Sequence, residues 1–375
     1  MSLKIDCDFP GGNIIVDNIL NDTVLLHQDL RDTSHDWFYW CFRLRGAEGL
    51  KLHFNFTQSR AIGVRGPAIS YNAGITWEWL GIDCVHENTF VFTVPSDQPE
   101  VRLSFAMPYQ ESDWLRFISR FTENTLLSRH ALCKTSKERN VEYIVLGKPD
   151  TEPQHRLVIT CRHHCCEMMV NYALEGIIQW MLESDDNNAG WLRDNVQMLI
   201  IPFVDKDGVE DGDQGKDRKP RDHGRDYDEN GIYASTRAIQ DLLPVWGNGL
   251  LRVCMDLHCP WISGRHNEEI YLVGSVNDRI AKEEKRFSKI MESTTIDSLP
   301  FRAEDYLAYG TEWNTGTNYA NGKSFTRWAA DLPGVMMASA IEIPYANIGG
   351  KEANRSSLVE LGKNIGMALA QYLGS

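Results

Sequence analysis

The segment His164-Cys165-Cys166-Glu167 sets an imidazole and a carboxylate three residues apart. It follows the apolar run Leu157-Val158-Ile159-Thr160 and precedes a helical pattern, so both side chains can reach one spot beyond a strand end. An imidazole nitrogen and a carboxylate oxygen are a natural pair of Zn²⁺ ligands. A third donor closes another apolar run, Val253-Cys254-Met255-Asp256-Leu257-His258. Two His and one Glu with an open fourth position form a hydrolytic arrangement for one zinc ion. Asp256 is placed to orient a ligand from behind, or to serve structure alone. Two rivals stay open. An H-x-x-E match has little specificity in a chain with eleven His. Cys161, Cys165 and Cys166 offer thiolates instead, although they lack a second C-x-x-C and buried Cys is usually packing.

These residues need a frame. From about residue 140, short apolar runs at 141–146, 157–160, 196–201, 253–257 and 338–343 alternate with helical patterns at 167–183, 235–243, 281–291 and 358–373. The alternation predicts an α/β fold, a mixed sheet flanked by helices on both faces, with ligands at the carboxyl ends of the strands. The first hundred residues read differently. Leu50 to Phe56 and Val101 to Met107 alternate apolar and polar with period two, and 37–42 and 90–94 are aromatic and β-branched. They predict a small antiparallel β-sandwich domain over 1–110, ahead of a catalytic domain over 111–375 that opens with a helix at 113–124. Residues 205–229 hold ten acids and six bases and few apolar side chains, a long polar loop inside a compact domain. Its aspartates resemble a calcium loop, but the spacing fails the EF-hand pattern.

Composition narrows the partners. Lys and Arg number 38 against 52 Asp and Glu, a formal charge of −14, which argues against binding nucleic acid or an anionic membrane surface. No apolar run approaches the roughly 18 residues that span a bilayer. The first residues show no secretion leader, and nine cysteines without framework spacing fit reduced thiols, so a cytoplasmic location is expected.

The order His164-Cys165-Cys166-Glu167, then Asp256-Leu257-His258, then Ala340-Ile341-Glu342-Ile343-Pro344-Tyr345 resembles the zinc metallocarboxypeptidases, the family of carboxypeptidase A. The resemblance implies a zinc ion on His164, Glu167 and His258, and Glu342 as the catalytic base. Asp205-Lys206-Asp207-Gly208 and Asp222-His223-Gly224-Arg225 look like the family's N-P-D-G and D-L-N-R segments. Gly224 stands where the family has an Asn of the carboxylate clamp, and Arg225 matches the accompanying Arg. The oxyanion-stabilising Arg has no clean match; Arg218 is the first candidate and Arg221 the second. Tyr319, in the Gly-rich stretch 316–322, lies at the remove of the family's mobile Tyr. Phe9-Pro10-Gly11-Gly12, Trp37-Phe38-Tyr39-Trp40 and Phe105-Ala106-Met107-Pro108 look like the β-domain of the cytosolic carboxypeptidases, whose usual H-P-G-E is here H-C-C-E. The implied activity is hydrolysis of a peptide bond near a free C-terminal carboxylate. Alternatives are an amidase for cell-wall peptides with D-residues, a non-catalytic zinc or peptide binder, and an interaction protein built on the β-domain.

Overall fold

The computed structural model describes residues 3–295 and 299–375. Period-two patterning in the first hundred residues builds two five-stranded sheets. One contains Lys4–Asp6, Cys41–Arg45, Glu100–Ser104, Ala68–Ser70 and Glu78–Trp79 in that spatial order. The other contains Ile15–Leu20, Thr23–His27, Lys51–Phe56, Thr89–Thr93 and Val85–His86. Leu52, Phe54 and Phe56 alternate inward and are buried with Trp40, Phe42 and Phe90. The pairings are antiparallel except that Thr23–His27 runs parallel to Lys51–Phe56. The chain visits the other sheet at Cys41–Arg45 between these two strands, and so returns in the same direction.

The remaining chain forms a seven-stranded mixed sheet in the order Leu127–Lys134, Asn140–Leu146, Val196–Ile201, His155–Cys161, Leu251–His258, Met337–Glu342 and Tyr271–Val273. The four strands from Val196–Ile201 to Met337–Glu342 are parallel, with antiparallel neighbours on either side. Both faces of the parallel strands are covered, which is why they read as continuous apolar runs. Leu157 and Ile159 join one buried cluster and Val158 the other. On the first side lie the helices Val170–Glu183, Asn187–Asn195, Asp278–Thr294 and Arg355–Leu373, which contribute most of their buried apolar residues to the first cluster. On the second side lie Ala234–Gly247 and Phe325–Ala329. Val170–Glu183 and Arg355–Leu373 approach closely through Gly176 and Gly362. A Cβ at Gly176 would meet Val359 O at 2.0 Å, and one at Gly362 would meet Ala173 O at 1.9 Å.

Three expectations need adjustment. The helix after the H-x-x-E segment begins at Val170, so Glu167 lies in the turn before it. The helix predicted over 113–124 is Glu111–Ile118 followed by a 3-10 turn, Ser119–Phe121, with Trp114, Phe117, Ile118 and Phe121 on its buried side as expected. The acidic loop contains a short helix, Lys206–Asp211, and much of it is buried. Segments of the N-terminal β region hold it there. Asp32 accepts from Gln214 N (3.0 Å) and Gly215 N (2.8 Å), Tyr39 N donates to Gln214 Oε1 (2.8 Å), and Asn13 Nδ2 donates to Gly212 O (2.7 Å). One buried apolar cluster also runs unbroken from residues such as Phe38 and Phe105 into the helices of the larger sheet.

Candidate active site

Three parallel strands bring the candidate residues to one edge of the sheet. The register sets Cys161 beside Leu257 and His258 beside Glu342. Beyond Cys161 the chain turns sharply at Arg162, whose φ of 60° is uncommon for a non-glycine residue. The buried Arg162 guanidinium ties that turn down. Nε donates to Cys165 O (2.8 Å), and Nη1 donates to Tyr109 O (2.9 Å) and Asn171 Oδ1 (2.8 Å). The turn so fixed carries His164 and Glu167.

His164, Glu167 and His258 converge. His164 Nδ1 lies 2.8 Å from Glu167 Oε1, and His258 Nδ1 lies 2.7 Å from Glu167 Oε2 and 3.2 Å from His164 Nδ1. A tetrahedral zinc site with bonds of about 2.0–2.1 Å has ligand-to-ligand edges near ~3.3 Å. The donor set fits such an ion in chemistry and in close facing. The far nitrogens are anchored as well. His258 Nε2 lies 2.7 Å from Asp256 Oδ2, and His164 Nε2 lies 3.1 Å from Asp222 Oδ1. Asp256 Oδ1 in turn meets Thr160 Oγ1 (2.8 Å) and His163 Nδ1 (2.9 Å), and His163 Nε2 meets Tyr227 OH (2.7 Å). His163, Asp256 and His258 form a second possible donor group, but Asp256 is already engaged by all these partners. Burial alone would raise the Glu167 carboxyl; the facing His164 and His258 rings outweigh it and hold Glu167 below the usual range. The thiol alternative is not assembled: among the described residues no cysteine joins either donor group. Cys165 Sγ donates to Asp213 O (3.0 Å), and Cys166 Sγ accepts from Trp37 Nε1 (3.3 Å).

Glu342 is 6% exposed, and among the described residues its Oε2 has no hydrogen-bond partner. Burial raises its carboxyl, with His258 opposing and Glu167 adding. An orphaned buried carboxylate oxygen beside a cavity is a group waiting for a partner such as water or substrate. That cavity is lined by His164, His258 and Glu342 and also by Arg225, Tyr319 and Arg327.

The predicted arginines separate. Arg225 lines the cavity, donating from Nε to Asn318 O (3.0 Å) and from Nη1 to Gly224 O (2.8 Å), which leaves Nη2 out of those bonds. Tyr319 lines it too, with its ring 4.8 Å from the Arg225 guanidinium and its hydroxyl bonded to Asn314 Oδ1 (3.1 Å). Arg218 is placed differently from the expectation. Its Nη2 lies 2.8 Å from Asp205 Oδ2, 2.9 Å from Asp213 Oδ2 and 3.7 Å from Asp32 Oδ2, a buried cation committed to three carboxylates. Arg221 is committed as well, to Asp228 and Asp226 and to the carbonyls of Arg225 and Asn230, so it braces the loop under Arg225. Lys216, two residues before Arg218, lines the cavity with His164, His258 and Glu342 and lies near enough to act on the charges of His164 and Glu342. Sequence reasoning passed over it in favour of an arginine. Arg327 was also missed. Its guanidinium stacks 3.4 Å from the Tyr319 ring centroid, and its buried Nη2 has no hydrogen-bond partner among the described residues. No spacing signal marks it, since only tertiary packing brings the Phe325–Ala329 helix to the cavity. Gly224 has a steric reason: a Cβ there would sit 2.8 Å from His164 Nε2.

Comparison with known proteins agrees with this geometry. Residues 114–239 match the family described as zinc carboxypeptidase. Cytosolic carboxypeptidase 6 of Caenorhabditis elegans is 25% identical over 85% of this chain and 74% of its own length. Cytosolic carboxypeptidase 2 of Danio rerio is 21% identical over 78% of this chain, which spans only 45% of that relative. The crystal structure of a metallo-carboxypeptidase from Burkholderia cenocepacia superposes with a TM-score of 0.80 at 19% identity, covering 100% of this chain and 99% of that one. A metallo-carboxypeptidase from Pseudomonas aeruginosa gives 0.81 at 18% identity, covering 99% of each chain. At such identities the structural likeness establishes the fold. Residues 114–239 therefore carry the match to the zinc carboxypeptidase family, the chain has the metallo-carboxypeptidase fold over its length, and its likeness to the cytosolic carboxypeptidases marks it as a hydrolase of the peptidase class.

Proposed function

We propose that this protein is a zinc-dependent carboxypeptidase that hydrolyses the peptide bond next to a free C-terminal carboxylate. The observation that carries the reading is one cavity lined by His164, His258, Glu342 and Arg225, with Glu342 Oε2 unpartnered among the described residues. His164 Nδ1, Glu167 and His258 Nδ1 would hold one Zn²⁺, which when bound supplies Lewis acidity toward the scissile carbonyl and lowers the pKa of water. Glu342 Oε2 takes the proton of the attacking water and delivers it to the leaving amine. Lys216, rather than Arg218, faces the oxygen on which negative charge develops. Arg225 binds the terminal carboxylate through Nη2, with Tyr319 and Arg327 closing the same wall. Buried Asp256 bonds the far nitrogen of His258 and half-buried Asp222 lies beside that of His164, an arrangement that leaves each Nδ1 facing Glu167.

The substrate in this reading is a peptide. The cytoplasm is the proposed location, on the names of the relatives and the nine free thiols. Among the described residues no helix is long and apolar enough to cross a membrane. The division near residue 110 also belongs to the proposal, with the qualification that Asp32, Asn13 and Tyr39 fasten the β region to the active-site loop. Gly224 removes one arm of the carboxylate clamp, and this favours the amidase of D-residue peptides as the second reading. The test is zinc content together with turnover on a panel of C-terminal L-peptides and D-residue peptides. One zinc per chain is expected, lost in His164→Ala and His258→Ala. Glu342→Gln keeps the zinc and loses about 10²–10⁴-fold in rate. Unchanged hydrolysis by Glu342→Gln would remove the assigned base.

A further inference from the structure

A second cavity, of about 340 Å³, adjoins the first and shares Glu342, Lys216 and Trp313 with it. Its chemistry is different. Trp37, Trp261, Trp313 and Tyr271 supply its aromatic lining. The Trp37 and Trp261 rings meet edge to face at 4.5 Å, and Trp261 also stands edge-on to Phe38 at 5.0 Å. The Lys216 ammonium lies 5.9 Å from the centre of the Trp37 ring. Trp261 is 43% exposed and Trp313 40% exposed. Two large indoles left open to water beside a catalytic carboxylate form a ready apolar contact surface, because rigid aromatic rings give much contact area at little entropic cost.

The direction of a bound peptide follows from the two cavities. Arg225 lines only the first, so a terminal carboxylate held there puts the last residue in that cavity. The scissile bond then lies at Glu342 and Lys216, and the preceding residue enters the space on the other side of them, which is the aromatic cavity. We propose that this cavity is the subsite for the residue before the scissile bond, and that it selects substrates carrying an aromatic or large aliphatic side chain there. The inference rests on the carboxypeptidase reading and adds the substrate class. It also gives the N-terminal β region a part in recognition, because Trp37 comes from that region, while Trp261 comes from the loop after the Leu251–His258 strand and Trp313 from the stretch between the Asp278–Thr294 and Phe325–Ala329 helices.

The test uses the full zinc-loaded chain and two peptide series, acetyl-Gly-Gly-X-Glu and acetyl-Gly-Gly-X-Ala, with X as Trp, Phe, Leu, Glu or Gly. Binding of the same peptides to the Glu342→Gln protein is measured by calorimetry, independent of turnover. For X = Phe or Trp, kcat/KM should exceed that for X = Gly by about 10- to 100-fold, the discrimination a well-filled apolar pocket supplies. Trp261→Ala and Trp313→Ala, both at partly exposed positions, should bring that ratio within about 3-fold. Hydrolysis with no preference, or with X = Glu favoured over X = Phe, overturns the aromatic subsite and leaves the hydrolase reading intact. No hydrolysis, with Phe peptides still bound at least about 10-fold more tightly than Gly peptides, overturns the hydrolase reading and supports the subsite. Absence of both hydrolysis and discrimination overturns both.

Discussion

Replacing Arg218 by Met separates a structural cation from a catalytic one. The Arg218 side chain is 12% exposed, and those of Asp205, Asp213 and Asp32 are 2%, 10% and 7% exposed. Met keeps most of the volume and removes the charge. The three carboxylates then lose the cation they share, and Arg31, 2.7 Å from Asp213 Oδ1, reaches only one of them. Breaking a buried pair by removing one partner costs about 3–5 kcal/mol, because the remaining charge stays desolvated. Burial and Asp32 already raise the Asp213 carboxyl with Arg218 present. In the variant Asp213 should be raised further, and Asp205, whose burial is now outweighed by His223 and Arg218, should lose part of its lowering. A carboxyl raised in the folded state contributes stability that is lost as pH rises, so the deficit of Arg218→Met should grow between pH 5 and pH 8. Denaturant unfolding of wild type, Arg218→Met and Lys216→Met at both pH values reads this directly, with kcat/KM measured alongside. Lys216→Met should stay within about 0.5 kcal/mol of wild type. It should lose about 10²–10³-fold in kcat, the cost of one donor to a developing oxyanion. An Arg218→Met protein that unfolds with wild type while its kcat falls 100-fold, beside a Lys216→Met protein of normal rate, would refute the assignment.

Gly224→Ala should weaken zinc binding about 10-fold or more by competition with a chelator, since its Cβ would lie 2.8 Å from His164 Nε2 and 3.1 Å from Asp222 Oδ1. Unchanged affinity would mean that the loop moves aside at no cost. Asp256→Asn should cost about 10- to 100-fold in zinc affinity, because Asp256 holds His258 by the nitrogen away from the metal position. Glu284 is fully buried, accepting from Ser275 N and Tyr306 OH, and burial raises its carboxyl to about 7. Its ordinary value is 4.5, so the folded state favours the protonated form and stability falls as pH rises from about 4.5 to about 7, by up to about 3 kcal/mol. Glu284→Gln should remove that part of the pH dependence and unfold at higher denaturant than wild type at pH 8; equal pH profiles for the two would contradict the shift.

Local pattern was enough for the sheet, for the change of architecture after the first hundred residues, and for the candidate donors. A buried parallel strand must be apolar throughout, and a ligand at its end must follow it in sequence. His164, His258 and Glu342 were legible for that reason. The acidic loop was legible as unusual and no further. Ten acids and six bases in 25 residues leave open which cation is neutralised and which is free, because the answer lies with distant partners. Asp32 and the Asp205–Asp213 pair hold Arg218, while Asp226 and Asp228 hold Arg221, and Lys216 is left facing Glu342. Arg327 and the three indoles of the second cavity reach the site from four separate stretches of chain. Metal-type side chains at or just beyond strand ends are a property of short segments, so the sequence alone determined their placement. Which charges survive to meet a substrate, and which rings surround it, depends on desolvation and packing between segments far apart in the chain, and only the tertiary structure decided that.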